Sequence, residues 1–374
     1  MNYYGTANST SYTEYIRMFH MSLHIQKKYS IGLLCGVVVV LGGMFVYSHF
    51  VSASVPVFNL NSREGLAQAE LFWNEEISRV GGEKAYMEFS RAYASSTPQY
   101  QHTAAHIFGG SLYTKVGVSG LSVCDDSFSY GCFHEFLARA IQEEGLGAVN
   151  MLNEGCFQAL GPGKSLSCAH GLGHGIQSYL GYTDDALRKG LEICKTLPYA
   201  DPIGGCPGGL FMEYNMRTMH SFSGMPIRSA DVGGMQHPCD ILKKEDRAVC
   251  YYWQPQWWIQ LFKSQGKDVT DVFVEVGRLC GSIAENLHKQ CFEGVGTVVG
   301  MSVKYDVPQT IALCDVVSVR ENERSSCRVS AAGSFFGELS ARKNAPLLCV
   351  GLVEPWYTTC GAVAVGKGEI PSTR

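Results

Sequence analysis

Apolar residues recur at helical spacing through most of the chain. Over residues 65–80 (GLAQAELFWNEEISRV), Leu66, Leu71, Phe72 and Ile77 follow a 3.6-residue repeat. Gly81-Gly82 interrupts it. Two further helices are predicted over 83–95 and 99–116, the second with Pro98 near its start. Strict apolar–polar alternation, the mark of a half-buried strand, is absent over long stretches. The pattern predicts an all-α protein.

One apolar run is of a different kind. Residues 31–50 (IGLLCGVVVVLGGMFVYSHF) contain no Lys, Arg, Asp or Glu. Twenty helical residues rise about 30 Å, the thickness of the hydrocarbon core of a bilayer, so the run predicts a single transmembrane helix. Arg17, Lys27 and Lys28 precede it. The positive-inside rule then puts the N-terminus in the cytoplasm and the C-terminal part of the chain outside it, on the cell membrane. The alternative is a cleaved signal peptide, with Val51-Ser52-Ala53 as the small-residue cleavage site. The thirty residues before the run, and the run's own length, are long for that role. The expected organisation is a cytoplasmic tail (1–30), an anchor (31–53), an N-terminal helical segment (54–123) and a cysteine-paired repeat domain (124–374).

The cysteines fit an extracytoplasmic placement. Of fifteen, Cys35 falls in the apolar run. The rest form sequential pairs: Cys124/Cys132, Cys156/Cys168, Cys194/Cys206, Cys239/Cys250, Cys280/Cys291, Cys314/Cys327 and Cys349/Cys360. An even set in an oxidising compartment reads as a disulfide framework, and the regular gaps make neighbour pairing the simplest connectivity. No C-x2-C or C-x4-C knuckle supports zinc held by thiolate.

The second cysteine of each pair opens a Gly-rich, apolar run, and these openings are 33–44 residues apart. That is the length of a helix–turn–helix repeat. One unit displays the order of parts. Thr183-Asp184-Asp185 is an N-cap and acidic first turn, and a helix follows to Cys194. Pro198, Pro202 and Gly204-Gly205 form a connection, and a second helix begins at Cys206. The expected fold is seven disulfide-stapled helical hairpins, as an α/α solenoid or a closed α/α toroid, with the Gly-rich helices innermost.

Formal net charge is −4 with no long charged run, which excludes a nucleic-acid footprint. Polar chemistry is concentrated instead. Cys168-Ala169-His170-Gly171-Leu172-Gly173-His174 sets two histidines four apart, on one helical face. His102-Thr103-Ala104-Ala105-His106 does the same, and His134 and Glu135 follow Cys132. Glu213 lies in the next Gly-rich run, whereas the last two units place nothing comparable near their opening cysteines.

Five histidines (His102, His106, His134, His170, His174) suit a divalent metal with nitrogen and oxygen ligands: zinc, iron or manganese. Glu135 and Glu213 are the candidate catalytic carboxylates, as general bases on a metal-bound water. His134-Glu135 lacks the second histidine of an HExxH motif. Five aromatics crowd Tyr251-Tyr252-Trp253-Gln254-Pro255-Gln256-Trp257-Trp258, where packing is the first expectation and ligand stacking the second. The sequence therefore points to an extracytoplasmic helical-repeat protein with a His/Glu site acting on a small-molecule, peptide or glycan ligand. The alternative is a non-catalytic scaffold that binds protein or glycan.

Overall fold

Every regular element in the described residues is helical. The computed structural model describes residues 55–161, 165–198, 201, 203–219 and 226–367. The apolar run 31–50 lies outside them. Among the described residues no helix is long and apolar enough to cross a membrane.

The first three helices are α1 (Arg63–Val80), α2 (Gly82–Tyr93) and α3 (Pro98–Val116). Local chemistry sets their starts. The Ser62 hydroxyl accepts from the Gly65 amide, and Thr97 caps α3 just ahead of Pro98. Trp73, Phe89 and Phe108, one from each helix, are fully buried against one another with ring centroids 4.9–5.4 Å apart. This aromatic cluster fixes one face of α3 and turns the face bearing His102 and His106 elsewhere.

Eleven further α-helices follow in the described residues: α4 (Gly131–Glu144), α5 (Val149–Leu160), α6 (Ser165–Leu180), α7 (Asp184–Lys195), α8 (Cys206–Met216), α9 (Lys244–Ser264), α10 (Val269–Gly281), α11 (His288–Ser302), α12 (Val307–Val316), α13 (Glu321–Gly337) and α14 (Trp356–Ala364). Seven disulfides join neighbouring cysteines, as the gaps predict. Each ties the far part of one arm to the early turns of the next helix. Cys194 ends α7 and Cys206 opens α8; Cys280 ends α10 and Cys291 lies in the first turn of α11. In the loop-entropy account, closing a loop of this length restricts the unfolded chain by about 3 kcal/mol.

Three pairs depart from the expected two-helix unit. Cys124, Cys239 and Cys349 sit in or beside 3-10 segments (Gly117–Val123, Cys239–Ile241 and Arg342–Cys349) and not on a full α-helix. Gly117 and Gly120, Pro238 and Pro346 shorten these arms, since interior Gly and Pro weaken an α-helix.

Helix α3 and the cysteine-bearing helices after it pack one on the next in chain order: α3 on α4, α4 on α6, α6 on α8, α8 on α9, α9 on α11, α11 on α13 and α13 on α14. Glycine makes these contacts close. A Cβ on Gly109 would lie 2.1 Å from the Cys132 carbonyl oxygen, on Gly173 2.1 Å from that of Cys206, and on Gly296 2.2 Å from that of Cys327. Three times, a glycine in one helix meets the backbone of the opening cysteine in the next. A Cβ on Gly209 or Gly294 would make the reciprocal contact, 1.9 Å from the His170 or Tyr252 carbonyl oxygen respectively. The glycines that weaken these helices singly, by about 1 kcal/mol each, are what allow the layer to form.

The aromatic stretch on α9 is mostly core. Tyr251, Tyr252, Trp257 and Trp258 are buried. Trp257 and Trp258 donate to the Arg228 and Met235 carbonyls at 2.7 Å, and Arg228 lies over Trp257. Packing outweighs ligand stacking for these four.

Gly296→Ala should lower stability by about 2–3 kcal/mol in a urea titration, because its methyl meets backbone and not a flexible side chain. Gly281→Ala, at the end of α10 with open space around it, should leave stability within about 1 kcal/mol of the parent. Equal midpoints for the two variants would contradict the backbone contact.

Candidate metal centre

Helices α3, α4 and α6 lie side by side and carry the five predicted histidines to one place. His102 and His106 are one turn apart on α3, His134 is in the first turn of α4, and His170 and His174 are one turn apart on α6. Gly109 and Gly131 bring α3 onto α4, and Gly171 and Gly175 bring α6 onto it from the other side. His134 is therefore flanked by both pairs. Its ring centroid is 5.4 Å from His102, 5.2 Å from His106, 5.7 Å from His170 and 4.6 Å from His174.

The nitrogens fall into two triads. His102, His106 and His134 form one, and His134, His170 and His174 the other; in each, the ligand atoms lie within 4.8 Å of one another, close enough to hold a metal ion. In the first, His106 Nε2 is 3.1 Å from His102 Nε2 and 3.3 Å from His134 Nδ1. Tetrahedral zinc with Zn–N near 2.05 Å sets its nitrogens about 3.3 Å apart. A shared proton satisfies one pair of nitrogens and leaves the third facing them, whereas a cation satisfies all three. His106, His134, His170 and His174 are buried and His102 is half-buried.

Partners behind the rings fix which nitrogen faces inward. His102 Nδ1 is 3.0 Å from the Phe128 carbonyl, which leaves Nε2 toward His106. That carbonyl belongs to a turn in which Phe128, Ser129 and Tyr130 all have φ between 52° and 62°, unusual for three successive non-glycine residues. His174 Nδ1 is 3.1 Å from Glu213 Oε2. Its Nε2 is buried with no partner, and so is Nε2 of His134. The His170 ring packs 5.0 Å from Trp253. A carboxylate or carbonyl behind an imidazole, with the opposite nitrogen bare, is the arrangement by which metal-binding histidines are oriented.

The electrostatics match. Burial first, then neighbouring imidazoles, holds His106 and His134 well below the ordinary histidine value; burial and the His174 side chain do the same for His170. Burial also lowers His102, against the Phe128 hydrogen bond that raises it. Neutral imidazole is the form that ligates.

The two predicted carboxylates are placed differently from each other. Glu213, on α8, is fully buried. It accepts from the Tyr182 hydroxyl at 2.5 Å, from the Thr218 hydroxyl and from the Met219 amide as well as facing His174. Its oxygens are committed to holding His174, outside both triads. Glu135 points away. It pairs with Arg139 at 3.0 Å and lines a cavity of about 350 Å³ with Arg63, Glu70 and Ile107. One residue along a helix is a rotation of about 100°, so His134 and Glu135 face different neighbours. Tyr182, Thr218 and the Phe128 carbonyl were not legible as site parts, because each acts through tertiary contact with no motif of its own.

The remaining described histidines are elsewhere. His237 bonds Asp184 and Tyr214, and His288 bonds Glu323 and the Ile283 carbonyl. No known protein family, curated protein or solved structure matches the chain.

Glu293, on α11, is a buried acid apart from the histidines. Lys289 Nζ lies 3.8 Å from it, and burial pushes its carboxyl up to about 7 despite that ammonium. Between the ordinary 4.5 and about 7, folded chains keep a proton that unfolded chains have lost, so Glu293 costs stability as pH rises through that window. Glu293→Gln should therefore be more stable than the parent by about 2 kcal/mol at pH 8 and no more stable at pH 4.5. A gain that is equal at both pH values in thermal melts would refute the buried-acid assignment.

Proposed function

We propose that this is a metal-binding protein of an oxidising, extracytoplasmic compartment, whose metal is held by the histidines of α3, α4 and α6. The observation that carries the reading is the pair of buried, unpartnered Nε2 atoms on His134 and His174, whose rings lie 4.6 Å apart. Leaving such groups without a partner costs about 1–3 kcal/mol each, which a bound cation offsets. All-imidazole sets suit zinc, copper, iron or nickel; the absence of carboxylate from both triads argues against manganese.

Three protein ligands leave a position open on the metal, as catalytic zinc sites do. A metal held by these histidines would polarise a water or substrate oxygen, and this chain's own part is orientation, through Glu213 behind His174 and the Phe128 carbonyl behind His102. Glu213 serves as a support of the site in this reading and Glu135 stands apart from it, paired with Arg139, so proton transfer falls to groups that arrive with the ligand.

Seven disulfides support an oxidising compartment. The uncharged run 31–50, with basic residues before it, supports a membrane anchor with the histidine site outside the cytoplasm. A cavity of about 740 Å³ is lined by Ser90, Pro98 and Gln101 from α2 and α3 and by Phe336, Gly337 and Arg342 from the far end of the chain. That shared lining supports a helical layer that curves until its two ends approach, and the cavity is the space in this layer suited to a small polar ligand or a peptide or glycan end.

Elemental analysis of the full chain, purified with its disulfides intact, should find a transition metal in stoichiometric amount. His134→Gln takes a ligand from both triads and should remove nearly all of it, with helical circular dichroism unchanged. A metal-free wild type that also takes up no zinc, cobalt or copper on dialysis would leave the histidines structural and the scaffold reading in place.

A further inference from the structure

The two triads share one ring, that of His134. His134 Nδ1 faces His106 Nε2 at 3.3 Å. His134 Nε2 is buried without a partner, on a ring inclined only 32° to that of His174. A single ion in the second triad leaves His102 Nε2, His106 Nε2 and His134 Nδ1 converging with no cation between them. A single ion in the first leaves His174 Nε2 bare. Resting on the metal-site reading above, we propose that the chain binds two divalent cations of borderline softness, of the copper or zinc class, bridged by the imidazolate of His134.

The supports behind the rings divide the same way. The first position is held from the Phe128 turn through His102. The second is held from Glu213 through His174, with Trp253 beside His170. Each position thus has two histidines of its own, on its own helix, and α4 contributes the ring between them. Metal–nitrogen bonds near 2.0 Å on both sides of one imidazole set the two ions about 6 Å apart.

Protons and charge balance as follows. Neutral His134 carries one proton, on one of its two nitrogens. The first ion takes the bare nitrogen. The second displaces the proton from the other nitrogen to solvent, and the ring becomes a monoanion. The four positive charges are met by this imidazolate, by the Glu213 carboxylate behind His174, and by hydroxide or an anionic ligand in the open position of each ion. The ion at the first position lies next to half-buried His102 and is the one exposed to exchange.

The test uses the full chain with disulfides intact, stripped of metal by chelator and titrated with Cu²⁺. Two ions should bind per chain. The low-temperature electron paramagnetic resonance signal of the fully loaded sample should fall well below that of two isolated ions, because an imidazolate couples the spins antiferromagnetically. His102→Gln and His174→Gln should each hold one ion tightly, with a normal uncoupled signal and at least about tenfold weaker binding of a second. One ion per wild-type chain, or two with an undiminished signal, overturns the bridge and leaves the metal-site reading standing. No bound ion overturns both. The wild-type titration decides the matter even where a variant fails to fold.

Discussion

The close approach of glycine to backbone between successive Gly-rich helices governs the rest of this structure. Gly109 against Cys132, Gly173 against Cys206 and Gly296 against Cys327 leave no room for a Cβ. His134 accordingly stands between His106 and His174, residues of two different helices, with ring centroids 5.2 and 4.6 Å away. The disulfides make the arrangement affordable in chain entropy. Each pins the first turns of a Gly-rich helix to the arm before it, which offsets the poor helical propensity of the sequence that follows.

Burial then gives the site its character. Five imidazoles packed together repel one another once protonated, and desolvation keeps four of them neutral over a wider pH range than free histidine. A set of neutral nitrogens facing one another in a dry interior is costly by itself. A bound cation would offset that cost, and its binding free energy would then be partly folding free energy. The outer supports, the Phe128 carbonyl and the Glu213 carboxylate, act on the ring edges away from the site and hold the opposite nitrogen of each ring inward. The strained turn over Phe128–Tyr130 is the local cost of placing one of those supports.

Much of this was written in the sequence in a form that periodicity can read. The helices, the cap at Thr183 and the neighbour pairing of cysteines follow from spacing alone, and the Ala186 amide does donate to the Thr183 hydroxyl. The i, i+4 histidine pairs declared a shared face within each helix. Which faces meet across helices was not legible, since it depends on the glycine contacts. Glu135 shows the limit: its type and its neighbour His134 suggested chemistry, yet a rotation of one residue carries it to Arg139 and Glu70. Glu213 reached the histidines, but the Tyr182, Thr218 and Met219 donors that claim its oxygens come from tertiary contact and a following turn without a motif. Trp253 sat in an aromatic run whose other members are core, and only the fold separates it from them.

The proposed all-imidazole metal site depends on the close packing of the Gly-rich helices. X-ray absorption at the zinc edge of the zinc-loaded full chain tests it most directly. The account predicts a first shell of imidazole nitrogens near 2.0 Å, with at most one light-atom ligand from solvent and no sulfur. A shell containing sulfur near 2.3 Å, or one made of carboxylate oxygens without the multiple-scattering pattern of imidazole, would contradict it.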